Sequence, residues 1–147
     1  MVRSLALVCA MVVGVSSAAL AGETPSVPGT KVYFVNLKDG ATVKSPVKVV
    51  FGLSGMGVAP AGIDKAKTGH HHLFINRPEL GKGEDGADEF DANIPADEKH
   101  VHFGGGQTET TVELAPGKHT LQLVLGDKDH IPHNPPVVSD VITITVE

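Results

Sequence analysis

Residues 118–125 read KHTLQLVL, and residues 137–146 read VVSDVITITV. In the first stretch, alternate positions carry Leu121, Leu123 and Leu125, which would share one face of a β-strand. The second stretch is rich in the β-branched residues that strands prefer. An Ala-Pro-Gly turn signal at 115–117 precedes the first of them. We therefore predict that both stretches are strands.

Five further stretches have the same strand-like character. They are 31–36 (KVYFVN), 47–53 (VKVVFGL), 70–76 (HHHLFIN), 100–103 (HVHF) and 107–114 (QTETTVEL). No stretch of useful length has the periodicity of a helix. Aromatic residues make up only 4% of the chain, so the core must consist mainly of Val, Leu and Ile. Seven short strands separated by Gly and Pro turns predict an all-β fold, an immunoglobulin-like two-sheet sandwich.

The first 21 residues have the pattern of a signal peptide. Arg3 precedes an apolar run at 5–15, and Ala19-Leu20-Ala21 forms a small-x-small cleavage site. The run is too short for a permanent span, so we expect no stable membrane span after cleavage near Ala21. The only cysteine, Cys9, would be removed with this segment. The predicted organisation is a signal peptide at 1–21, a tether at 22–30 and the sandwich domain at 31–147, with a periplasmic or secreted location.

The net charge and the long loops bear on which ligands the domain could bind. The net charge of −5 would repel a phosphate backbone, so we expect no nucleic-acid partner. Two connections, 54–69 and 77–99, are long. The second is rich in acids but lacks the alternating acid spacing of a calcium loop, so we interpret it as solvated.

Histidine is unusually frequent, with eight residues in the chain. Six of them are candidate metal ligands: His70, His72, His100, His102, His130 and His133. Residues i and i+2 of a strand face the same way, so the first two pairs each share a face. In the immunoglobulin order, the connections near these three segments gather at one end of the sandwich. We therefore expect their imidazoles to converge there.

Imidazoles without thiolates favour Cu(II) or Zn(II), and the affinity order of divalent ions places copper first. The alternative is that these histidines form hydrogen-bond networks that rigidify loops, and the sequence leaves both open. For His119 we expect a structural role instead. It lies at the corner before the sixth strand, at the opposite end of the sandwich, where a structural hydrogen bond is favoured.

Three segments resemble an uncharacterised bacterial family of exported domains. They are GHHHLFIN (69–76), HVHFGGGQTE (100–109) and PGKHTLQLVLGDKDHIPHNPPV (116–137). The resemblance extends from about Val32 onward and implies a bacterial exported protein without a known activity. A weaker resemblance connects DGATVKSPVKVVF (39–51) and the last hairpin to periplasmic copper-resistance C proteins. Those proteins bind Cu(II) partly through their N-terminus, whereas this chain would begin Gly22-Glu23-Thr24 after cleavage.

The sequence favours a periplasmic or secreted domain that acts as a non-enzymatic carrier or buffer of copper or zinc. One alternative is a structural or interaction module of the cell envelope with purely structural histidines. A minor alternative is a metalloenzyme, because His-x-His on a strand is similar to the ligands of copper–zinc superoxide dismutases and of cupins. The dismutase disulfide and zinc loop are not visible here, and a cupin needs more strands than seven.

Overall fold

The computed structural model describes residues 22–147, and the predicted signal peptide at 1–21 lies outside the described residues. The described part folds into a β-sandwich of two sheets, as predicted. Its strands are β1 (Lys31–Phe34), β2 (Thr42–Val43), β3 (Val47–Ser54), β4 (Gly57–Val58), β5 (Thr68–Ile75), β6 (His100–His102), β7 (Glu109–Val112), β8 (Gly117–Gly126) and β9 (Ile142–Val146). A short 3-10 helix spans Gly86–Phe90. Within 22–147, no helix is long and apolar enough to cross a membrane.

The two sheets of the sandwich differ in size. The smaller sheet has the order β1-β3-β7, and the larger has the order β2-β9-β8-β5-β4, with β6 also pairing with β5. Most pairs are antiparallel, while β2 runs parallel to β9 and β4 runs parallel to β5. The central pair of the larger sheet, β5 with β8, matches Leu73 with Leu123.

The structure departs from the simplest version of the predicted sandwich in two details. The fourth predicted strand, now β6, belongs to the larger sheet beside β5, not to the sheet of β3 and β7 that the simplest immunoglobulin order implies. The last predicted strand is also shorter, because regular pairing begins only at Ile142. Alternation of apolar residues indicates which face of a strand is buried, but it does not determine which strand becomes its neighbour.

The main core lies between the two sheets and is aliphatic, as the composition predicts. Its fully buried members include Val49, Leu73, Leu121, Leu123 and Ile144. Successive side chains of β5 point to opposite faces of the sheet. Leu73 and Ile75 therefore point into this core, while the side chains between them lie on the outward face of the sheet.

The outward face of the larger sheet is covered by the long segment 77–99. Phe74 and Val124 of the sheet form a second apolar cluster with Leu80 and Ile94 of that segment. Arg77 anchors the segment too, through an ion pair with Glu89 at 2.6 Å in which both side chains are nearly buried. Several of its other acidic residues are exposed, as expected for a solvated loop, but the segment as a whole is packed against the sheet.

Candidate metal centre

Four histidines converge on the outward face of the larger sheet. They are His70, His72, His102 and His130. Each offers one ring nitrogen, and the four nitrogens all lie within 4.8 Å of one another. His70 Nε2 is 3.0 Å from His72 Nε2 and 3.1 Å from His130 Nδ1. We call this group the histidine cluster.

The pairing of strands brings three of these rings together. His70 and His72 are two residues apart on β5, so they share a face. His102 lies directly opposite His72 in the β5–β6 register. On the other side, His70 lies opposite Gly126 of β8. A Cβ at position 126 would approach His72 Nε2 to 2.7 Å, so this glycine leaves the space that the His72 ring fills.

The fourth ring comes from the loop after β8. His130 has a φ of +66°, a left-handed conformation that costs a non-glycine residue about 1 kcal/mol or more. Asp127, which is 4% exposed, holds the loop in this shape. Its Oδ1 accepts hydrogen bonds from the backbone N–H groups of Asp129 at 2.9 Å and Ile131 at 3.0 Å.

Burial favours the neutral form of three cluster imidazoles, those of His70, His72 and His102. It lowers the pKa of His70 to about 4, assisted by the neighbouring imidazoles of His130 and His102. Burial, assisted by His70, lowers the pKa of His72 to about 2. The pKa of His102 is lowered as well, by burial and then by His130. Only a neutral imidazole can coordinate a metal, so at neutral pH these ligands need not first lose a proton.

Two nitrogen–nitrogen contacts in the cluster are close to the spacing of ligands around one metal, whereas the full spread of up to 4.8 Å exceeds the roughly 4 Å between opposite ligands, so the rings would have to close slightly around an ion. A metal–nitrogen bond of about 2 Å places tetrahedral ligands about 3.3 Å apart and adjacent square-planar ligands about 2.8 Å apart. The contacts of 3.0 and 3.1 Å fall between these values, and in the metal-free domain they are hydrogen bonds between the rings. Within residues 22–147, the Nε2 atom of His102 is also buried without a hydrogen-bond partner. A cation bound to this atom would satisfy its lone pair.

The second nitrogens of two cluster rings have no acceptor. Nδ1 of His70 and Nδ1 of His72 are buried without a partner among the described residues. Ligating histidines usually donate this N–H to a carboxylate or a carbonyl, which fixes the orientation of the ring. Here the surrounding rings and the β5 backbone must fix that orientation instead. The ring centroids of His70 and His72 are 4.8 Å apart.

The structure does not bring the other two predicted ligands into the cluster. Both ring nitrogens of His133 contact backbone carbonyl oxygens, those of Leu125 at 3.2 Å and Thr68 at 3.1 Å. His100 shares a face with His102 but points toward Arg77, which is 2.9 Å from its Nε2, and Asp97, which is 2.8 Å from its Nδ1. We therefore leave His100 and His133 out of the ligand set proposed below.

His119 has the structural role that the sequence predicts. Its Nε2 donates to the carbonyl of Ala115 at 2.8 Å, and its Nδ1 is 2.9 Å from the side-chain amide of Asn76. Asn76 follows the end of β5 that is remote from His70. His119 therefore lies at the opposite end of the sandwich from the histidine cluster.

Two residues near the cluster were not recognised from the sequence. His71 points into the main core, with its ring centroid 5.1 Å from that of Phe51. Its position between two outward-facing histidines on a strand could have revealed this. The loop-forming role of Asp127 had only a weak signal, the Asp-x-Asp spacing that is also typical of solvent-exposed loops.

The fold and the cluster define an all-β sandwich domain with a candidate four-histidine metal centre. The chain belongs to the family described as Domain of unknown function (DUF4399), whose sequence model matches residues 49–147. The matched region contains the entire histidine cluster. Neither the comparison with curated proteins nor the comparison with solved structures gave a match.

Proposed function

We propose that this domain is a non-enzymatic carrier or buffer of a transition metal, with Cu(II) as the first choice and Zn(II) as the second. The observation that carries the proposal is the convergence of His70, His72, His102 and His130, whose ligand nitrogens lie within 4.8 Å of one another. Three separate segments of the chain supply these rings. His130 reaches the cluster from a left-handed backbone conformation that the hydrogen bonds to Asp127 hold in place.

The ligand set favours copper or zinc over other ions. Four imidazoles without thiolate or carboxylate form an all-nitrogen site of intermediate softness, which suits Cu(II) and Zn(II). Hard cations such as Ca²⁺ and Mg²⁺ require oxygen ligands, which the cluster does not supply. The weaker resemblance of two segments to copper-resistance C proteins also supports copper.

A closed set of ligands supports transport or storage rather than catalysis. Catalytic zinc sites keep a position open for water or substrate, whereas four protein ligands complete a tetrahedral site. The signal-peptide pattern at 1–21 supports a periplasmic or secreted location for the domain. We place its function outside the cytoplasm on that basis.

Isothermal titration of the metal-free domain with Cu(II) and with Zn(II) tests the proposal. We expect one equivalent to bind with a dissociation constant below 1 μM, on the order of the affinities that multi-imidazole sites reach. His102→Gln and His130→Gln should each weaken binding by about 10-fold or more, because each removes one ligand. These two residues are the less buried members of the cluster, so their variants are the better choice for preserving the fold.

His119→Gln is the matched control, because its ring lies at the far end of the sandwich. It should bind metal as the unmodified domain does. Binding weaker than the micromolar range, or an equal loss in the control, would contradict the proposed function.

A second candidate, a structural or interaction module of the cell envelope, is favoured by the remaining histidines. His100, His119 and His133 are all bonded to protein groups, so structural histidines do occur in this domain. Under that alternative, His130→Gln would lower the stability of the metal-free domain, and neither the variant nor the parent would bind Cu(II) or Zn(II).

A further inference from the structure

The residue after the predicted cleavage point is packed into the domain. Gly22 is buried, and its backbone nitrogen donates a hydrogen bond to Asp91 Oδ1 at 2.6 Å. A Cβ at this position would lie 2.2 Å from the carbonyl oxygen of Pro132, so only glycine fits. The main-chain nitrogen of residue 22 thus has a defined place against a carboxylate.

Residues 22–26, which we call the N-terminal strap, continue along the loop that carries His130. Thr24 donates from its hydroxyl to Asp127 Oδ2 at 2.6 Å, and its carbonyl accepts from the N–H of Asn134 at 2.9 Å. Ser26 donates its N–H to the carbonyl of Asn134 at 2.9 Å. The strap therefore holds both ends of the segment 127–134.

The stretch 91–94 holds the same loop from the other side. The side-chain amide of Asn93 donates to the carbonyl of Asp129 at 2.6 Å, and the N–H of Ile94 donates to the carbonyl of His130 at 2.9 Å. The contact between Gly22 and Asp91 joins this stretch to the N-terminal strap. The loop that presents His130 is therefore held between two segments that meet at Gly22.

We propose that Asp91 is the docking site for the α-ammonium group that processing creates at Gly22. Hydrolysis of the Ala21–Gly22 peptide bond by an export peptidase consumes one water, releasing a carboxylate on Ala21 and an amine on Gly22. That amine is protonated at neutral pH. The single amide donor facing Asp91 becomes a cation with three donors, and charge-assisted hydrogen bonds are roughly twice as strong as neutral ones.

This ion pair would make removal of the signal peptide a step in organising the metal centre. In the processed chain, it would strengthen the contact that already joins the two segments around the His130 loop. The part of the inference that concerns metal affinity rests on the proposed function, whereas the ion pair itself does not.

The ion pair is tested with metal-free protein that begins at Gly22. Four forms are compared by thermal unfolding: a free or an acetylated α-amine, each with Asp91 or Asp91→Asn. Acetylation alone and Asp91→Asn alone should each lower the unfolding midpoint by about 3 °C, the size expected when a partly buried pair is lost from a domain of this length. Together they should lower it no further, because either change removes the same interaction. Additive effects would overturn the proposal.

The control is Asp88→Asn, which removes an exposed acid from the same segment. Its effect should be equal in the free and the acetylated forms. A second measurement does not depend on thermal stability. The rate at which an acylating reagent modifies the Gly22 amine should rise several-fold in Asp91→Asn and stay unchanged in Asp88→Asn, and an unchanged rate in Asp91→Asn would count against the ion pair.

Titration with Cu(II) separates the two proposals. If the ion pair forms and the centre binds metal, acetylation should weaken Cu(II) binding several-fold. If none of the forms binds Cu(II), the proposed function fails. The unfolding midpoints of the four forms still test whether the amine and Asp91 form an ion pair.

Discussion

Gly126 shows how one residue makes room for the histidine cluster. It lies opposite His70 on the neighbouring strand, and the space above its Cα is filled by the His72 ring. A methyl group there would lie 2.7 Å from His72 Nε2, closer than real contacts allow. The ring is fully buried and has little freedom to move away.

Gly126→Ala should therefore displace His72 and weaken Cu(II) or Zn(II) binding by about 10-fold or more, since the ligand nitrogens are held by packing alone. It should also lower the free energy of unfolding by about 1–3 kcal/mol through overpacking. Titration and urea denaturation measure the two effects.

Gly57→Ala is the control, because a Cβ at position 57 makes only an ordinary contact of 3.5 Å with Thr68. It should leave metal affinity unchanged. An unaltered affinity in Gly126→Ala would show that His72 is not a ligand.

Among the structural elements, the segment 77–99 is attached to the larger sheet through one nearly buried ion pair. Arg77 donates to Glu89 Oε1 at 2.6 Å, and Glu89 Oε2 accepts from the N–H of Gly81 at 2.6 Å. Arg77 also stacks over Phe74, 4.5 Å from the ring centroid. These contacts join the start of the segment to its middle, and both to strand β5 beneath them.

Glu89→Gln should loosen this segment, because it leaves the Arg77 charge nearly buried without its counter-charge. Breaking such a pair costs about 2–4 kcal/mol once the partial exposure of both groups is considered. Hydrogen exchange should accelerate at residues 79–94, with little change in the smaller sheet.

Glu84→Gln, which alters an exposed acid of the same segment, should leave the exchange pattern unchanged. Equal protection in Glu89→Gln and in the parent would mean that the apolar cluster of Phe74, Leu80 and Ile94 holds the segment without the ion pair.

For the whole molecule, the buried histidines connect stability to pH. Burial lowers the pKa of His70 and His71 to about 4 and that of His72 to about 2, against 6.5 for an ordinary histidine. Below pH 6.5, the unfolded chain takes up protons that the folded domain does not accept. Folding stability is therefore fully present above pH 6.5 and decreases as the pH falls toward 4.

With three such histidines, the free energy of unfolding of the metal-free domain should fall by up to about 4 kcal/mol per pH unit near pH 5. Urea denaturation at pH 7.5, 6.5, 5.5 and 5.0 in the presence of a chelator measures this slope. His71→Leu should reduce it by about a third, because its ring faces the core and not the cluster. A flat profile between pH 7.5 and 5.0 would contradict the prediction.

Much of the fold and part of the site could be predicted because they depend on local patterns. Alternation along 118–125 and 137–146, with turns between the strands, indicates an all-β sandwich. The i, i+2 spacing places His70 and His72 on one face whatever the rest of the chain does. The corner position of His119 likewise indicated its structural bond, which the contact with Ala115 confirms.

Which histidines meet is decided only by the tertiary structure. His100 and His102 share a face, yet only His102 lies opposite His72, because the β5–β6 register sets that pairing. His130 and His133 are three residues apart, yet the loop held by Asp127 points one ring to the cluster and the other to backbone carbonyls. Strand register and loop conformation arise from long-range pairing and packing, and no local sequence pattern contains them.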